Sequence, residues 1–139
     1  MEIRRRRFLL LLTSTPLLAA TADSDSKLRG KLTKGPGDKP ALQLANGQLV
    51  TLTGDDDTVG VLRDARLAGS DFEVIGKRNA DGFAINPIYM AALYAYKDGQ
   101  RLRVTYWCDV CAIRTYTPGL CWCCRQETAL DLRDPDKVE

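Results

Sequence analysis

Five cysteines lie close together near the C-terminus, and they are the residues best suited to chemistry in this chain. They are Cys108, Cys111, Cys121, Cys123 and Cys124, and the sequence contains no other cysteine. The spacing is a C-x2-C pair, nine intervening residues, and a second C-x2-C pair that contains one extra thiol. Two close thiol pairs on opposed segments can bind a tetrahedral metal ion or form disulfides.

The two pairs predict a four-sulfur metal site made of Cys108, Cys111, Cys121 and Cys124. Residues 117–120 can turn the chain so that the second pair folds back onto the first. We predict zinc in a structural role, because four thiolates at this spacing suit a tetrahedral zinc ion. Cys123 is then an alternative ligand to Cys124 or a free thiol. No catalytic residue and no organic cofactor site is predicted.

Two other uses of the thiols remain open from the sequence. The first is disulfide bonding, although five cysteines leave one of them unpaired. The second is sulfur chemistry, either copper(I) binding, which soft thiolates favour, or thiol–disulfide exchange. Arg114 and Arg125 flank the thiols. These two residues either favour thiol ionisation or are solvated surface cations.

The N-terminus has the features of a secretory signal peptide over residues 1–22. Four arginines at residues 4–7 precede a short apolar run at residues 8–18, and Ala20 and Ala22 fit the small-x-small cleavage rule. Residues 5–9 also resemble the twin-arginine export motif, so that route is an alternative to general secretion. The segment predicts a periplasmic or extracellular protein with no stable membrane anchor after cleavage. Oxidising compartments of this kind favour disulfides.

Composition narrows the classes of function. The chain has no histidine, which excludes Ser-His-Asp and Cys-His hydrolase sites and histidine-ligated metal centres. There are 20 Lys and Arg against 18 Asp and Glu, and the predicted leader removes four of the arginines. The mature chain is therefore close to neutral, and we expect no nucleic-acid partner. These observations favour a non-enzymatic binding or interaction protein, with copper(I) or redox chemistry as the alternative.

The sequence of the middle of the chain predicts strands separated by turns. Asn46-Gly47 predicts a two-residue type I′ hairpin that places Leu44 opposite Leu49, and Asp98-Gly99 predicts another hairpin between residues 93–97 and 100–107. The acidic run at residues 55–57 precedes apolar residues at helical spacing. We interpret this run as a helix cap rather than a calcium loop, because EF-hand spacing is missing.

This order of strands and helix resembles an OB-fold over about residues 28–88, with the helix between the third and fourth strands. The resemblance implies a small OB-like β-barrel with one short helix. The Asp98-Gly99 hairpin and the cysteine spacing add a C-terminal β-hairpin and a cysteine-rich knuckle, so the expected fold is mainly β. OB-folds often bind oligonucleotides or oligosaccharides on one face. The barrel segment here offers only Phe72 and Phe83, which we predict to be core residues.

The C-terminal third has two further resemblances. Its cysteine pairs look like a compact zinc ribbon, and residues 106–124 resemble an uncharacterised family of small secreted bacterial proteins, which implies no known activity. Tyrosines and tryptophans concentrate here as well, either covering a cysteine-rich lobe or forming a glycan-binding surface. The expected organisation is a flexible tail at 23–27, the barrel at 28–90, a hairpin and metal-binding segment at 91–132, and a flexible C-terminus at 133–139.

Overall fold

Alternating apolar residues build a nine-stranded sheet in the part of the chain that the computed structural model describes, residues 24–138. The single α-helix of that part, α1, spans Asp56–Leu62. The predicted signal peptide at residues 1–22 lies outside the described residues. The strands are β1 (Ser26–Lys34), β2 (Pro40–Gln43), β3 (Leu49–Thr53), β4 (Asp71–Asn79), β5 (Gly82–Ile85), β6 (Leu93–Lys97), β7 (Gln100–Cys108), β8 (Ile113–Thr115) and β9 (Ala129–Arg133).

The first five strands close into a barrel. Their order around it is β1-β2-β3-β5-β4, and β4 pairs back with β1 to complete the closure. The β3–β5 pairing is parallel, whereas the other four pairings are antiparallel. Helix α1 falls between β3 and β4 in the chain. The predicted OB-like barrel with one short helix is therefore confirmed.

Two glycines allow neighbouring strands of the barrel to approach closely. A Cβ atom on Gly30 would lie 2.5 Å from the carbonyl oxygen of Gln43, and one on Gly76 would lie 2.0 Å from that of Ala84. Both separations are shorter than any van der Waals contact, so a larger side chain at either position would push two strands apart. Gly30 and Gly76 therefore permit β1 and β4 to bend into the closed barrel.

Helix α1 begins as the acidic run predicts. Asp55 is its N-cap, and the Asp55 side chain accepts a hydrogen bond from the backbone N–H of Thr58 at 2.7 Å. This bond satisfies one of the free amides of the first turn. Val61 and Leu62 then turn inward onto the barrel core. The apolar core contains Leu28, Leu32, Leu42, Val50, Leu52, Val61, Leu62, Leu67, Phe72, Val74, Phe83, Ile85, Ala92, Leu93, Ala95, Val104 and Tyr106.

The barrel sheet continues into a second hairpin that leads to the cysteines. In β4, residues 76–79 pair with β5 and residues 71–74 pair with β6, so β6 extends the sheet beyond the barrel. Asp98 and Gly99 both have positive φ between β6 and β7, which confirms the predicted hairpin. Strand β7 then pairs with both β8 and β9. The sequence reasoning predicted neither β8 nor β9.

The first hairpin differs from its prediction. Gly47 has a positive φ of 85° but Asn46 does not, and the register pairs Gln43 with Leu49 rather than Leu44. The backbone N–H of Leu44 instead donates to the carbonyl of Gln48 at 2.8 Å, and the side chain of Asn46 accepts a hydrogen bond from the Gln48 amide at 2.9 Å. The loop thus has three residues, with glycine in the left-handed position. The predicted type I′ turn was wrong because Asn46 satisfies the backbone without adopting positive φ.

Both ends of the described chain are hydrogen-bonded. Ser26 and Lys27, from the predicted tail, pair with Gly76 and Ile75 as the first residues of β1. Strand β9 ends at Arg133, and a short 3-10 turn follows at Pro135–Lys137. None of the helices among residues 24–138 is long and apolar enough to cross a membrane.

Candidate metal centre

Each C-x2-C pair lies at the tip of a hairpin. Strand β7 ends at Cys108 and β8 returns from Ile113, which pairs with it, so residues 108–112 form the first cysteine loop. In the second cysteine loop, residues 121–125, the backbone N–H of Cys121 donates to the carbonyl of Gln126 at 2.7 Å. A bridge between Leu120 and Glu127 closes this second loop. The two hairpins bring their tips together.

Four sulfur atoms meet between the two loops. The Sγ atoms of Cys108, Cys111, Cys121 and Cys124 all lie within 4.8 Å of one another, and Cys108 and Cys124 are 3.5 Å apart. A tetrahedral ion with Zn–S bonds of about 2.3 Å requires sulfur separations of about 3.8 Å. The observed spacing brackets that value. These four side chains can therefore hold a metal ion with little rearrangement.

Backbone amides point at one sulfur in each loop. The N–H groups of Cys124 and Cys123 donate to Cys121 and lower the pKa of that thiol to about 7. In the first loop the N–H of Cys111 likewise lowers the pKa of Cys108, with a smaller effect from the N–H of Val110. Burial and the neighbouring thiols outweigh these amides, so the pKa of Cys108 is raised overall. Amides in these positions stabilise bound thiolates.

Both loops end in a left-handed residue. Ala112 follows Cys111 with φ 52°, and Arg125 follows Cys124 with φ 63°. The N–H of Arg125 donates to the carbonyl of Cys121 at 2.8 Å, which closes the second loop. Glycine is the residue that usually takes this conformation, and an L-residue there costs about 1–2 kcal/mol. The two loops thus share one backbone design, although neither carries the glycine that would signal it in sequence.

The segment around the sulfurs lacks an apolar core. Between Asp109 and Glu127, all of which the structure describes, the only buried side chain is that of Cys121, which is 1 % exposed. Cys108, at 3 % exposure, supplies the other buried sulfur. Val110 and Trp122 project into solvent instead. A small segment with so little buried apolar area needs a metal or disulfides to hold its shape.

An ion-paired cluster fastens this segment to the barrel. Asp64 accepts a hydrogen bond from the buried hydroxyl of Tyr106 at 2.8 Å, and Arg66 pairs with Asp64 at 2.8 Å. The other guanidinium nitrogen of Arg66 donates to the carbonyl of Thr128 at 3.0 Å, at the base of the second hairpin. Thr128 in turn donates its hydroxyl to Gly119 across that hairpin. These contacts link the turn after α1 to both hairpins.

Burial and the charged partners have opposite effects on the pKa of Asp64 in this cluster. Burial is the largest single effect on Asp64 and favours its neutral form. Hydrogen bonds from Arg66 and Tyr106 outweigh it, so the pKa of Asp64 is lowered. Burial, followed by the contact with Asp64, raises the pKa of Tyr106. Sequence reasoning missed this cluster, because its members are dispersed along the chain and form no motif.

The remaining residues that were predicted near the site take separate places. Arg114 is an ion-pair partner of Asp131 at 2.9 Å and donates to the hydroxyl of Thr105, so it braces β8 against β9. Arg125 is exposed. The thiol of Cys123 is exposed and lies outside the group of four sulfurs, while all five cysteines are free thiols.

Most of the clustered aromatic rings are covered by arginine. Arg29 lies 3.5 Å from the ring centre of Tyr96, and Arg101 lies 3.6 Å from that of Tyr94, on the outer face of β6. A ring stacked by a guanidinium is closed to a sugar on that side. Further stacks join Arg66 to Tyr106, Arg103 to Tyr116 and Arg114 to Trp107. Among the predicted rings, Tyr89 and Trp122 remain widely exposed.

No protein-family model, curated protein or solved structure matches the chain. The resemblance to a family of secreted proteins therefore stays a prediction. The geometry itself supports a narrower statement. A closed barrel carries two cysteine-tipped hairpins, and four of the five cysteines can hold a metal ion.

Proposed function

We propose that the protein is an exported, non-enzymatic binding or interaction protein whose two cysteine loops are held together by one structural zinc ion. The meeting of four sulfurs within 4.8 Å is the observation that carries this proposal. The donor set consists only of thiols, which favours zinc over the harder cations. The arrangement of two hairpins, each ending in a C-x2-C loop, is that of a zinc ribbon.

We assign the zinc ion a structural role because it would take the place of the apolar core that the cysteine loops lack. The cysteine loops have no buried apolar side chain of their own apart from the cysteines, whereas the barrel has a continuous core. Zinc would supply the missing connection between the tips, and the contacts of Asp64 and Arg66 hold the hairpin bases. The product is a rigid two-hairpin projection on a stable barrel, a design that suits the presentation of a surface to a partner. Export rests on the predicted signal peptide at residues 1–22.

Native mass spectrometry of protein purified without chelator tests the zinc assignment. We expect one zinc ion per chain in the wild type. Cys124→Ser removes a proposed ligand and is expected to lose the ion, whereas Cys123→Ser is the matched control and is expected to keep it. A metal-free wild type with its thiols paired as disulfides would contradict the proposal. If Cys123→Ser loses zinc and Cys124→Ser keeps it, the fourth ligand is Cys123 and not Cys124.

A second candidate is an envelope protein that handles copper(I) or thiol redox equivalents. The observation that favours it is the exposed thiol of Cys123 beside four further sulfurs, a thiol-rich site of the kind that soft copper(I) prefers. Metal analysis separates the two candidates. Copper in place of zinc, in cells supplied with both metals, would favour this second candidate.

A further inference from the structure

A cleft of about 440 Å³ lies on the barrel, between the end of β1 and the turn that follows α1. Residues 31–34 line one side of it, and residues 62–65 and 68–69 line the other. All the residues that line the cleft belong to the barrel, to its helix or to the turns that connect them. Clefts that bind small ligands have volumes of about 300–1,000 Å³. The size of this cleft therefore suits a small molecule.

Much of the lining of the cleft is apolar. Leu32 and Leu62 belong to the barrel core, and Pro40 is buried as well. Ala65 and Ala68 line the part of the cleft that is open to solvent. Apolar groups gain free energy when such surfaces remove them from water. The cleft therefore favours a ligand that has an apolar portion.

Two cations that line the cleft have no acidic partner among residues 24–138. They are Lys31, in β1, and Arg63, which follows α1, and both are exposed. The planar guanidinium of an arginine can donate two parallel hydrogen bonds to one carboxylate, and a lysine adds a point charge. The pair of cations can therefore bind the anionic head of a ligand.

The two carboxylates that line the cleft are each paired with a cation of their own. Asp64 pairs with Arg66 at 2.8 Å and accepts a hydrogen bond from the hydroxyl of Tyr106. Asp38 lies 3.8 Å from Lys34. Because these partners offset both carboxylates, the two unpaired cations leave the cleft with an excess of positive charge. An excess of this sign attracts an anion.

A free edge of β1 adds a backbone donor to the cleft. The N–H of Leu32 donates to the carbonyl of Ser70 at 2.9 Å, and the carbonyl of Leu32 accepts from the N–H of Gly69 at 2.8 Å, on the side of β1 that faces away from β2. Backbone groups two residues apart in a strand point to the same side, so the N–H of Lys34 points there too. Among the residues that the structure describes, none accepts a hydrogen bond from it. This N–H is available to an anion in the cleft.

We propose that this cleft binds a small amphipathic carboxylate, a molecule with an anionic head and a short aliphatic tail. The head pairs with Arg63 and Lys31 and accepts the free N–H of Lys34. The tail contacts the apolar side chains of Leu32 and Leu62. The cleft belongs to the barrel, so this binding is additional to the zinc-held hairpins and does not depend on them.

The test titrates the isotope-labelled full chain, purified without chelator, with sodium decanoate at constant ionic strength and follows the amide chemical shifts by NMR. We expect saturable binding, with the largest shifts at the amides of Lys34, Ala65 and Gly69. Arg63→Gln is expected to weaken the affinity about tenfold, because it removes a charge-assisted hydrogen bond to the head. Arg78→Gln is the matched control, since Arg78 is an exposed arginine of β4 outside the cleft, and it is expected to bind as the wild type does.

Two further probes separate the head from the tail. Acetate has the head alone and decyltrimethylammonium has the tail with a cation, and we expect neither to shift these amides at the concentrations at which decanoate saturates them. Decanoate that leaves the amides of the cleft unshifted would overturn the inference. So would equal affinity in Arg63→Gln and the wild type, or equal shifts with decyltrimethylammonium, which would reduce the binding to apolar contact alone. None of these outcomes bears on the zinc site, because the cysteine loops do not line the cleft.

Discussion

Replacing Ala112 with glycine is expected to stabilise the zinc-bound protein, although it removes a methyl group. Ala112 has φ 52° at the end of the first cysteine loop. A left-handed L-residue costs about 1–2 kcal/mol, and glycine does not bear this cost. Glycine increases the entropy of the unfolded chain, which takes back about 0.4–1 kcal/mol. The difference is about 0–1.6 kcal/mol and is centred near 0.8 kcal/mol, which corresponds to a rise in Tm of about 2–5 °C for a domain of this size.

Thermal unfolding with zinc in fixed excess measures this effect. Arg125→Gly, at φ 63° in the second loop, is expected to show a gain of the same size, and the two gains are expected to add. Ala129→Gly is the matched control. Ala129 is also exposed but lies in β9, where the same substitution is expected to cost about 0.5–1 kcal/mol. If Ala112→Gly lowers Tm as Ala129→Gly does, the shared left-handed design of the loops is refuted.

Three further substitutions test the barrel and the contacts that hold the cysteine hairpins on it. Tyr106→Phe removes the hydroxyl that donates to Asp64 and is expected to destabilise the protein by about 1–3 kcal/mol in urea unfolding; no change would show that this contact is dispensable. Gly76→Ala forces a Cβ against the carbonyl of Ala84 and is expected to cost about 1–3 kcal/mol or more, whereas a wild-type urea midpoint would refute the close approach. Because the pKa of Asp64 is lowered in the folded state, its ionised form contributes stability above the ordinary value of 3.8, and this is lost as pH falls through the lowered value. Asp64→Asn is therefore expected to flatten the acid limb of a stability–pH curve, and an unchanged limb would show that other carboxylates set it.

The two hairpin signals show what sequence can predict about the fold. Asp98-Gly99 and Asn46-Gly47 have nearly the same turn chemistry, and both were predicted as hairpin turns, with type I′ geometry specified for Asn46-Gly47. Asp98 adopts positive φ, whereas Asn46 uses its side chain to accept the Gln48 amide, and the loop gains a residue. The existence and order of the strands follow from apolar alternation. The register depends on which of two comparable local hydrogen-bonding schemes the tertiary fold selects.

At the candidate site, too, the sequence predicted one part of the structure and left another part unpredicted. Spacing alone grouped Cys108, Cys111, Cys121 and Cys124, and the structure places their four sulfurs together while leaving Cys123 outside the group. The spacing contained no sign of the left-handed loop ends, because alanine and arginine occupy the positions where glycine would have marked them. The contacts of Asp64 and Arg66 could not be predicted either, since they join residues that are far apart in sequence.

X-ray absorption spectroscopy at the zinc edge, on full-length protein purified without chelator, tests the central claim most directly. Our account predicts one zinc ion per chain with four sulfur neighbours at about 2.3 Å and no nitrogen or oxygen ligand. In Cys124→Ser we expect the zinc signal to be lost or one sulfur neighbour to be missing, while Cys123→Ser keeps all four. A metal-free wild type, or a zinc ion bound mainly by oxygen, would contradict the account.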